Sequence, residues 1–361
     1  LLKRKAEIPT PFYKKKLDIQ PFFGMLWKND RPEDAAMTTS FQMFLLAARE
    51  LNFSRAAELA YVTPQCLSDH IRRIEEHYGV TLFTRRPKLR LTAEGETMLR
   101  YLTRIRALEG DMENELADVS GGVRGTLQLG LPTTRGAILL PQTVTQFRRQ
   151  FPHVEVEVQL ADTRSLETLL LGGTLDLFLG VDASQHALFR REPLRREPLY
   201  LVLSRHAMAS RFGERYAAVR ADFLRRGADL AQLRGVPFVQ GHDNSTTTKA
   251  VEQLLLRQSA APDIPVRVSS FDLHIDLCRT GGYATICSRS HLRRVMDRPD
   301  AGLEVYAIRG TQRTLEVELV SHRDAQPLAY RTAFARLLSE HALAEDAAIC
   351  AWLRKNGVGA P

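Results

Sequence analysis

Two short helical segments joined by a tight connection constrain this chain more than any other feature. Residues 55–60 follow Ser54, a good N-cap residue, and include Ala56, Ala57 and Leu59, which are small or apolar. A second helix is predicted to begin at Thr63 and Pro64, which supply an N-cap and a first residue whose missing N–H is no loss. Gly79 is expected to end it. Two helices so closely connected predict a helix-turn-helix.

The second of these helices separates into two faces. Leu67, Ile71 and Ile74 recur at helical spacing and predict a buried face. The opposite face offers an amide, a hydroxyl and guanidinium groups, which suit hydrogen bonding to base edges in the major groove of DNA. This outer set comprises Gln65, Ser68, Asp69, Arg72 and Arg73.

A basic hairpin is predicted after Gly79. Residues 80–83 and 89–91 have the pattern of two short strands, and the tip between them carries Arg85, Arg86 and Lys88. Such a wing lies against the sugar-phosphate backbone, where cations neutralise phosphates. For the tip alone, a solvated surface hairpin is the alternative. Together these features predict a winged helix-turn-helix over residues 37–92, with the motif at 53–72 and the wing at 80–91.

A long helix is predicted to follow, from residue 93 to 119 with Thr92 as its cap, inside a linker that extends to residue 122. Its apolar stripe continues for about five turns, which favours packing on a partner helix and predicts dimerisation. The alternative is that the stripe packs on its own domain. The stripe comprises Met98, Leu102, Ile105, Leu108, Met112 and Leu116.

The remaining sequence alternates strand and helix patterns, which predicts parallel strands with crossover helices. We expect two small α/β lobes over residues 123–340 and a C-terminal tail over 341–361. The predicted strands are 126–131, 154–160, 175–180, 199–203, 236–240, 266–269, 283–287 and 315–320. The predicted helices are 139–150, 165–171, 247–258 and 271–280, and surface helices are expected within 207–233.

Hydroxyl side chains lie where predicted strands give way to helices. In α/β lobes, ligands collect at the carboxyl ends of strands, and helix N-termini attract anions. The sequence therefore predicts a site for a small, anionic metabolite, although helix capping alone is the alternative for any one hydroxyl. The candidate effector-binding residues are Thr133, Thr134, Thr163, Ser245, Thr246, Ser269, Ser270 and Phe271.

Composition narrows the classes of function. The net charge of +8 fits a polyanionic partner, although basic proteins without nucleic acid exist.

Cys278 and Cys287 lie in apolar patterns, and no cysteine has zinc-ligand spacing, so buried thiols and no metal are expected. No hydrolase or oxidoreductase motif is present, so neither an enzyme nor a cofactor is expected. No apolar run predicts a transmembrane span or a signal peptide, which favours the cytoplasm and no membrane partner.

Residues 1–36 are rich in lysine, proline and charge and have no clear periodicity, which predicts a basic, poorly ordered leader. Met37 is a candidate start of the protein. Two interpretations of the leader remain open, an upstream in-frame artefact and a basic arm that touches DNA.

The segment Phe53–Arg72 closely resembles the helix-turn-helix of LysR-type transcriptional regulators. Further matches to that family extend the resemblance to about residues 38–340. They are Ile74-Glu75, Gly79, Leu82-Phe83, Arg85, Leu91-Thr92-x-x-Gly95, Pro132-Thr133-Thr134, Phe151-Pro152, Gly173-Thr174-Leu175-Asp176 and Gly281-Gly282.

The resemblance implies a winged helix-turn-helix, a dimerising linker helix and a two-lobed α/β domain like that of periplasmic solute-binding proteins. It also implies homodimers or homotetramers and a small co-inducer between the lobes, and RNA polymerase is a further candidate partner. Because the linker helix should pair two DNA-binding heads, the partner is expected to be double-stranded DNA with a two-fold repeat. The residues that the resemblance places on DNA are Ser54, Arg55, Thr63, Gln65, Ser68, Arg72 and Arg85.

Pro64 and Asp69 also lie on this DNA-binding surface but depart from the family pattern, since Pro64 replaces a polar residue and Asp69 adds a negative charge. Two other classes remain as alternatives, a solute-binding module and an α/β enzyme, each without a DNA role.

Overall fold

A computed structural model describes residues 32–85, 88–119, 124–242, 245–299, 302–311 and 314–359. The chain divides into two compact units, Leu1–Leu102 and Thr103–Pro361. Most of the predicted leader, residues 1–31, lies outside the described residues. Residues 32–36 are helical rather than irregular, because Pro32 and the acidic Glu33 and Asp34 suit the first turn of a helix.

The first unit is a helical cluster with a short hairpin. Its elements are α1 (Pro32–Glu50), α2 (Phe53–Leu59), α3 (Pro64–Tyr78), β1 (Phe83–Thr84), β2 (Arg90–Leu91) and the start of α4 (Ala93–Val119). Leu67, Ile71 and Ile74 are fully buried against Phe44, as the sequence predicts. The N-cap of α2 is Asn52, not Ser54, because the Asn52 side chain accepts a hydrogen bond from the Arg55 amide at 3.1 Å.

The second unit contains every strand and helix predicted for it, β4 with its predicted ends and the others with shifted ends. Its first elements are β3 (Gly125–Leu131), α5 (Thr133–Gln150), β4 (Val154–Leu160), α6 (Thr163–Leu171), β5 (Leu177–Val181), β6 (Phe189–Ser204), α7 (Arg205–Phe212) and α8 (Tyr216–Arg226). They are followed by β7 (Pro237–Gln240), α9 (Thr246–Arg257), β8 (Asp263–Arg267), α10 (Phe271–Gly281), β9 (Ala284–Ser288), α11 (Arg293–Met296), β10 (Leu303–Ala307), β11 (Thr314–His322) and α12 (Ala329–Lys355).

One mixed sheet runs through this unit in the order β4-β3-β5-β11-β6-β9-β7-β8, and β10 also pairs with β6. The expectation of parallel strands holds for the β3–β4, β3–β5, β7–β8 and β7–β9 pairs. It is wrong for β6, β10 and β11, which pair antiparallel because the chain crosses between lobes within β6 and returns between β10 and β11.

The two lobes share β6. Its residues 189–198 pair with β11 in the first lobe, and its residues 199–204 pair with β9 and β10 in the second. A bulge at Leu194 interrupts the β6–β11 register. The first lobe also holds β3–β5, α5 and α6, and the second holds β7, β8 and α7–α11.

The helix α12 overturns the predicted C-terminal tail. It continues without interruption from Ala329 to Lys355. Tyr330 and Phe334 pack in the core of the first lobe, whereas Ile349 and Leu353 pack in the core of the second. Residues 341–355 are therefore part of the folded unit.

Candidate DNA-binding surface and effector site

The helix α3 has the local signals that the sequence predicts. The Thr63 hydroxyl accepts a hydrogen bond from the Cys66 amide at 3.2 Å, and Pro64 occupies the first turn. At the other end Gly79 adopts the left-handed conformation, with φ of 66°. The predicted helix-turn-helix is confirmed.

The outer face of α3 presents its polar side chains to solvent. Gln65, Arg72 and Arg73 are exposed, and Ser68 and Asp69 are half-buried. Thr63 and Pro64 are exposed at the start of the helix. These residues share one surface, on which amide, hydroxyl and guanidinium groups are accessible to a partner.

Two further predicted residues lie on α2. Ser54 and Arg55 are both exposed, and the Arg55 Nε lies 3.0 Å from a carboxylate oxygen of Glu50. An exposed ion pair of this kind is worth little, so Arg55 can exchange Glu50 for a phosphate.

The wing is anchored at its base and exposed at its tip. Phe83 pairs with Leu91, and the Leu82 amide donates to the Glu75 carboxylate at 2.7 Å. A Cβ at Gly95 would lie 2.2 Å from the Leu82 carbonyl oxygen, so only glycine allows α4 to begin so close to the wing.

Arg85 and Lys88 are exposed at the tip, and the Arg85 guanidinium lies 5.4 Å from the Phe53 ring centroid. Arg86 lies outside the described residues. Arg85 therefore lies beside α2, and Lys88 is exposed on the same wing.

The predicted apolar stripe of α4 consists of a part packed in the core and an exposed part. Met98 and Leu102 pack in the core of the first unit, so for them packing within the domain replaces the predicted dimer contact. Ile105 and Leu108 are instead 46% and 55% exposed. Tyr101, which the sequence analysis missed, is 59% exposed. Met112 is half-buried, and the side chain of Leu116 lies outside the described part of the chain.

The candidate effector residues of the first lobe lie at helix N-termini. Thr133 and Thr134 begin α5, whose N-cap is Pro132, so no side chain caps this helix. Thr163 begins α6, but it is buried and its hydroxyl accepts a hydrogen bond from the Val181 amide at 3.1 Å. Thr163 therefore has a local structural role, whereas Thr133 is exposed.

The candidate effector residues of the second lobe lie at or just before the starts of α9 and α10. Ser245 caps α9 by accepting from the Thr248 amide at 3.4 Å, and Thr246 is half-buried. Ser269 is exposed after β8, and Ser270 is the N-cap residue of α10 without a side-chain hydrogen bond. The Phe271 ring centroid lies 4.1 Å from that of His291.

The sequence missed Thr248, whose buried hydroxyl has no hydrogen-bond partner among the described residues. Nothing in its sequence context distinguishes it from an ordinary polar residue of the first helical turn.

A buried ionic group, which we call the crossover cluster, lies where β6 passes between the lobes. The Glu197 carboxylate lies 2.8 Å from guanidinium nitrogens of both Arg135 and Arg195. Ser290 also donates to Glu197, and Arg135 donates to Ser288 at 3.2 Å. This cluster joins α5 of the first lobe to the end of β9 in the second.

Charge within the crossover cluster shifts proton equilibria. Burial alone raises the pKa of Glu197, but the two guanidinium groups outweigh burial and hold that pKa far below its usual value. Burial, reinforced by the positive charge of Arg135, lowers the pKa of His291 to about 3. At neutral pH the carboxylate is ionised and the imidazole is neutral.

The cysteines follow the sequence prediction. Cys278 and Cys287 are free and fully buried, and burial raises the pKa of both thiols. Among the residues that the structure describes, no group of His, Cys, Asp and Glu is arranged to hold a metal ion. No helix there has the length and apolarity that a membrane crossing needs.

A helix-turn-helix with a basic wing, followed by a two-lobed α/β domain, defines a DNA-binding transcriptional regulator. Two family models match the chain: the LysR substrate binding domain over residues 120–343, and the bacterial regulatory helix-turn-helix protein, lysR family, over residues 38–96. The chain therefore belongs to the LysR family, whose members are transcriptional regulators and not enzymes. The helix-turn-helix match over residues 38–96 overturns both alternative classes, the solute-binding module and the α/β enzyme, because neither has a DNA role.

Comparisons with individual proteins give the same result, since a related sequence is a probable transcriptional regulator and two solved structures share the fold. A probable RuBisCO transcriptional regulator of Thalassiosira pseudonana is 24% identical over 292 residues, which cover 79% of this chain and 91% of that protein. A full-length OxyR variant from Pseudomonas aeruginosa has a TM-score of 0.61 at 20% identity, covering 84% of this chain and 93% of that one. Full-length CbnR complexed with its target DNA has a TM-score of 0.55 at 21% identity, covering 84% and 99%. At these identities the structures establish the fold alone.

Proposed function

We propose that this regulator binds a two-fold repeated DNA site through two copies of α3, and that an anionic metabolite held between the lobes sets its activity. The observation that carries the DNA part is the exposed polar face of α3 beside a basic wing. Within it, Gln65, Ser68 and Arg72 contact base edges. The phosphate contacts come from Ser54, Arg55, Thr63, Arg73, Arg85, Arg86 and Lys88.

Dimerisation through α4 supplies the second copy of α3. Tyr101, Ile105 and Leu108 lie at three-to-four spacing and remain exposed, which is the pattern of an interface between helices. A dimer with two-fold symmetry binds a DNA site with the same symmetry. We extend the proposal to a homotetramer built from two such pairs, acting in the cytoplasm, where it meets RNA polymerase.

The effector site is proposed at the N-terminus of α5, facing the second lobe. Three observations support an anion there. No side chain caps α5, Thr133 is exposed, and the Arg135 Nε is buried without a hydrogen-bond partner among the described residues. The starts of α9 and α10 supply the groups of the second lobe, with Thr246, Ser269 and Phe271 at the site.

The DNA assignment is tested with duplexes selected from a randomised library by the full chain. We expect Arg85→Ala to weaken binding to every sequence and to lower the slope of log affinity against log salt concentration by about one for each protomer. Ser68→Ala should relax base preference at one position. Equal, uniform losses from both variants would remove Ser68 from the reading surface.

The effector assignment is tested by thermal shift against a panel of carboxylates and phosphorylated metabolites. An acid that raises the melting temperature of the wild type should raise that of Thr133→Val by several degrees less, since the variant lacks the exposed hydroxyl. Thr163→Val is the matched control, because its hydroxyl is already occupied. A panel with no active acid, tested on protein that still binds DNA, counts against an anionic effector.

A further inference from the structure

Asp69, which is half-buried, lies at the centre of one polar stripe on α3. Gln65, Asp69, Arg72 and Glu76 are spaced by four, three and four residues, which places them on one helix face. The Gln65 Nε2 lies 3.3 Å from the Asp69 Oδ1, and the Arg72 Nη2 lies 3.1 Å from the same oxygen. A single carboxylate oxygen thus accepts from two side chains that we assign to base contacts.

We propose that Asp69 is a specificity-determining residue that positions Gln65 and Arg72 for base edges. The inference rests on the proposed role of those two side chains in DNA binding. A long arginine side chain loses rotamer freedom when it binds, and a fixed acceptor three residues earlier reduces that loss. Guanine accepts both hydrogen bonds of an arginine fork, and adenine both donates to and accepts from a glutamine amide, so the stripe favours a half-site containing both bases.

The negative charge of Asp69 has a second effect. Near phosphates it is repulsive on any DNA sequence, and only a site that engages both donors compensates for it. Asp69 therefore lowers affinity for incorrect sequences more than for the correct one.

The test compares Asp69→Asn with Glu76→Gln in the full chain. Both variants remove one negative charge from the same stripe, and Glu76 also approaches Arg72, at 3.7 Å. Glu76, however, makes no contact with Gln65 among the described residues. Binding of each variant is measured to a duplex selected by the wild type and to a scrambled duplex of equal length.

We expect Asp69→Asn to bind the scrambled duplex more tightly and to reduce the ratio of selected to scrambled affinity by about tenfold per half-site. Glu76→Gln should strengthen binding to both duplexes and leave that ratio unchanged. An unchanged ratio in Asp69→Asn, or an equal fall in both variants, overturns the inference. If Gln65→Ala and Arg72→Ala also leave base preference unchanged, the assignment of α3 itself fails, which is a separate result.

A second, independent observation concerns α12. The family model of the substrate binding domain ends at residue 343, but α12 continues to Lys355 and reaches the second lobe. Asp346 forms two hydrogen bonds with the Arg289 guanidinium, at 2.7 and 2.9 Å, and Glu345 lies 2.8 Å from Arg293. Both arginines belong to the second lobe.

Apolar contacts reinforce these pairs. Ile349 and Leu353 are buried against Tyr200 and Val202, which lie in the second-lobe half of β6. Near the crossing point, Arg195 donates to the Ala342 carbonyl oxygen at 2.7 Å. A single rigid helix is thus fixed to the first lobe, to the crossover and to the second lobe.

We infer that the C-terminal half of α12 is a brace that restricts rotation of one lobe against the other. A rotation would have to break two half-buried ion pairs and expose the apolar side chains that pack with them. Loosening the ionic contacts alone therefore widens the range of lobe orientations while leaving each lobe folded.

The test measures the distance distribution between spin labels on Arg149→Cys and Leu256→Cys, two exposed positions in different lobes. Cys66→Ser and Cys350→Ser remove the accessible thiols. We expect Glu345→Gln with Asp346→Asn to broaden the distribution by about twofold or more relative to the unmodified brace. Glu340→Gln is the control, since Glu340 pairs with the exposed Arg336 on the first-lobe half of the helix. Equal widths in all three proteins overturn the brace.

Discussion

At the scale of single residues, local patterns position the exposed polar groups of the helix-turn-helix and wing, whereas tertiary structure positions the buried charges of the crossover cluster. Gln65, Arg72 and Arg85 were predicted from helix phase and wing position, and all three are exposed. Arg135 and Glu197 were missed, because their meeting is set by tertiary structure across a separation of 62 positions in the sequence. No local pattern marks a charged residue that will be buried beside a distant partner.

Removing the central charge of the crossover cluster should be strongly destabilising. Glu197→Gln leaves the buried Arg135 guanidinium without a counter-charge and leaves Arg195 with Asp346 alone, at 3.5 Å. We expect the free energy of unfolding to fall by about 3–5 kcal/mol. Denaturant titration measures this, with Glu316→Gln as control, because Glu316 forms longer, partly exposed pairs at 3.5 and 3.8 Å. Equal losses in both variants would contradict the role of burial.

The neutral state of His291 should make stability depend on pH. In the folded protein the pKa of His291 is about 3, whereas the pKa of a histidine in the unfolded chain is about 6.5. Below pH 6.5 the unfolded chain therefore binds more protons, and stability falls by up to about 1.4 kcal/mol per pH unit.

The range from pH 6.5 to 5 separates the protonation of histidines from that of carboxylates, which are still ionised there. Chemical denaturation should show a smaller loss of stability across that range in His291→Gln than in the wild type. His274 is a second buried histidine with a lowered pKa, so part of the loss remains in the variant. An identical slope in both proteins would rule out His291 as its source.

At the scale of elements, periodic segments were predicted well and the crossing elements were not. The α3 and α4 helices and β4 were predicted with their observed ends, because caps and apolar spacing are local signals. The first half of β6 was missed, since its arginines, glutamates and prolines show no alternation. Ion pairs with β11, such as Arg191 with Glu318, stabilise it instead. The first part of α12 was predictable, because Tyr330, Phe334, Leu338 and Ala342 recur at helical spacing.

The divided stripe on α4 yields a test of dimerisation. Leu108→Glu places a charge on the exposed part of the stripe and should shift the protein from dimer to monomer while leaving its melting temperature nearly unchanged. Leu102→Glu buries a charge in the first unit and should destabilise that unit instead. Sedimentation velocity combined with thermal unfolding separates the two outcomes, and a fully dimeric Leu108→Glu protein would contradict the interface.

At the scale of the whole molecule, each unit has its own hydrophobic core. The first unit is built around Phe44 and Leu67, and the second around separate clusters in its two lobes. The order of domains was predictable because their sequence patterns differ, but the extent of the last domain was not. Its final helix packs on two lobes, and the sequence does not show which surface an apolar face will meet.

This independence predicts that the second unit folds alone. A fragment of residues 124–361 should unfold cooperatively and retain any effector response found for the full chain, because its cores are complete without the first unit. It should lose sequence-selective DNA binding. Circular dichroism, thermal shift and fluorescence anisotropy measure these properties, and a fragment that lacks a cooperative transition would contradict the division into units.

Because β6 continues from one lobe into the other, an odd or even change in the number of residues at the crossing decides which way its side chains face. Side chains alternate between the two faces of a strand, so one residue inserted between Arg195 and Leu199 would reverse the faces of everything on one side of it. Either Glu197 would leave its guanidinium partners or the apolar residues of the second lobe would turn outward. An insertion of two residues preserves the faces and moves one lobe by about 7 Å. Variation in length at this crossing is therefore restricted to even steps, unless a bulge such as the one at Leu194 absorbs the extra residue.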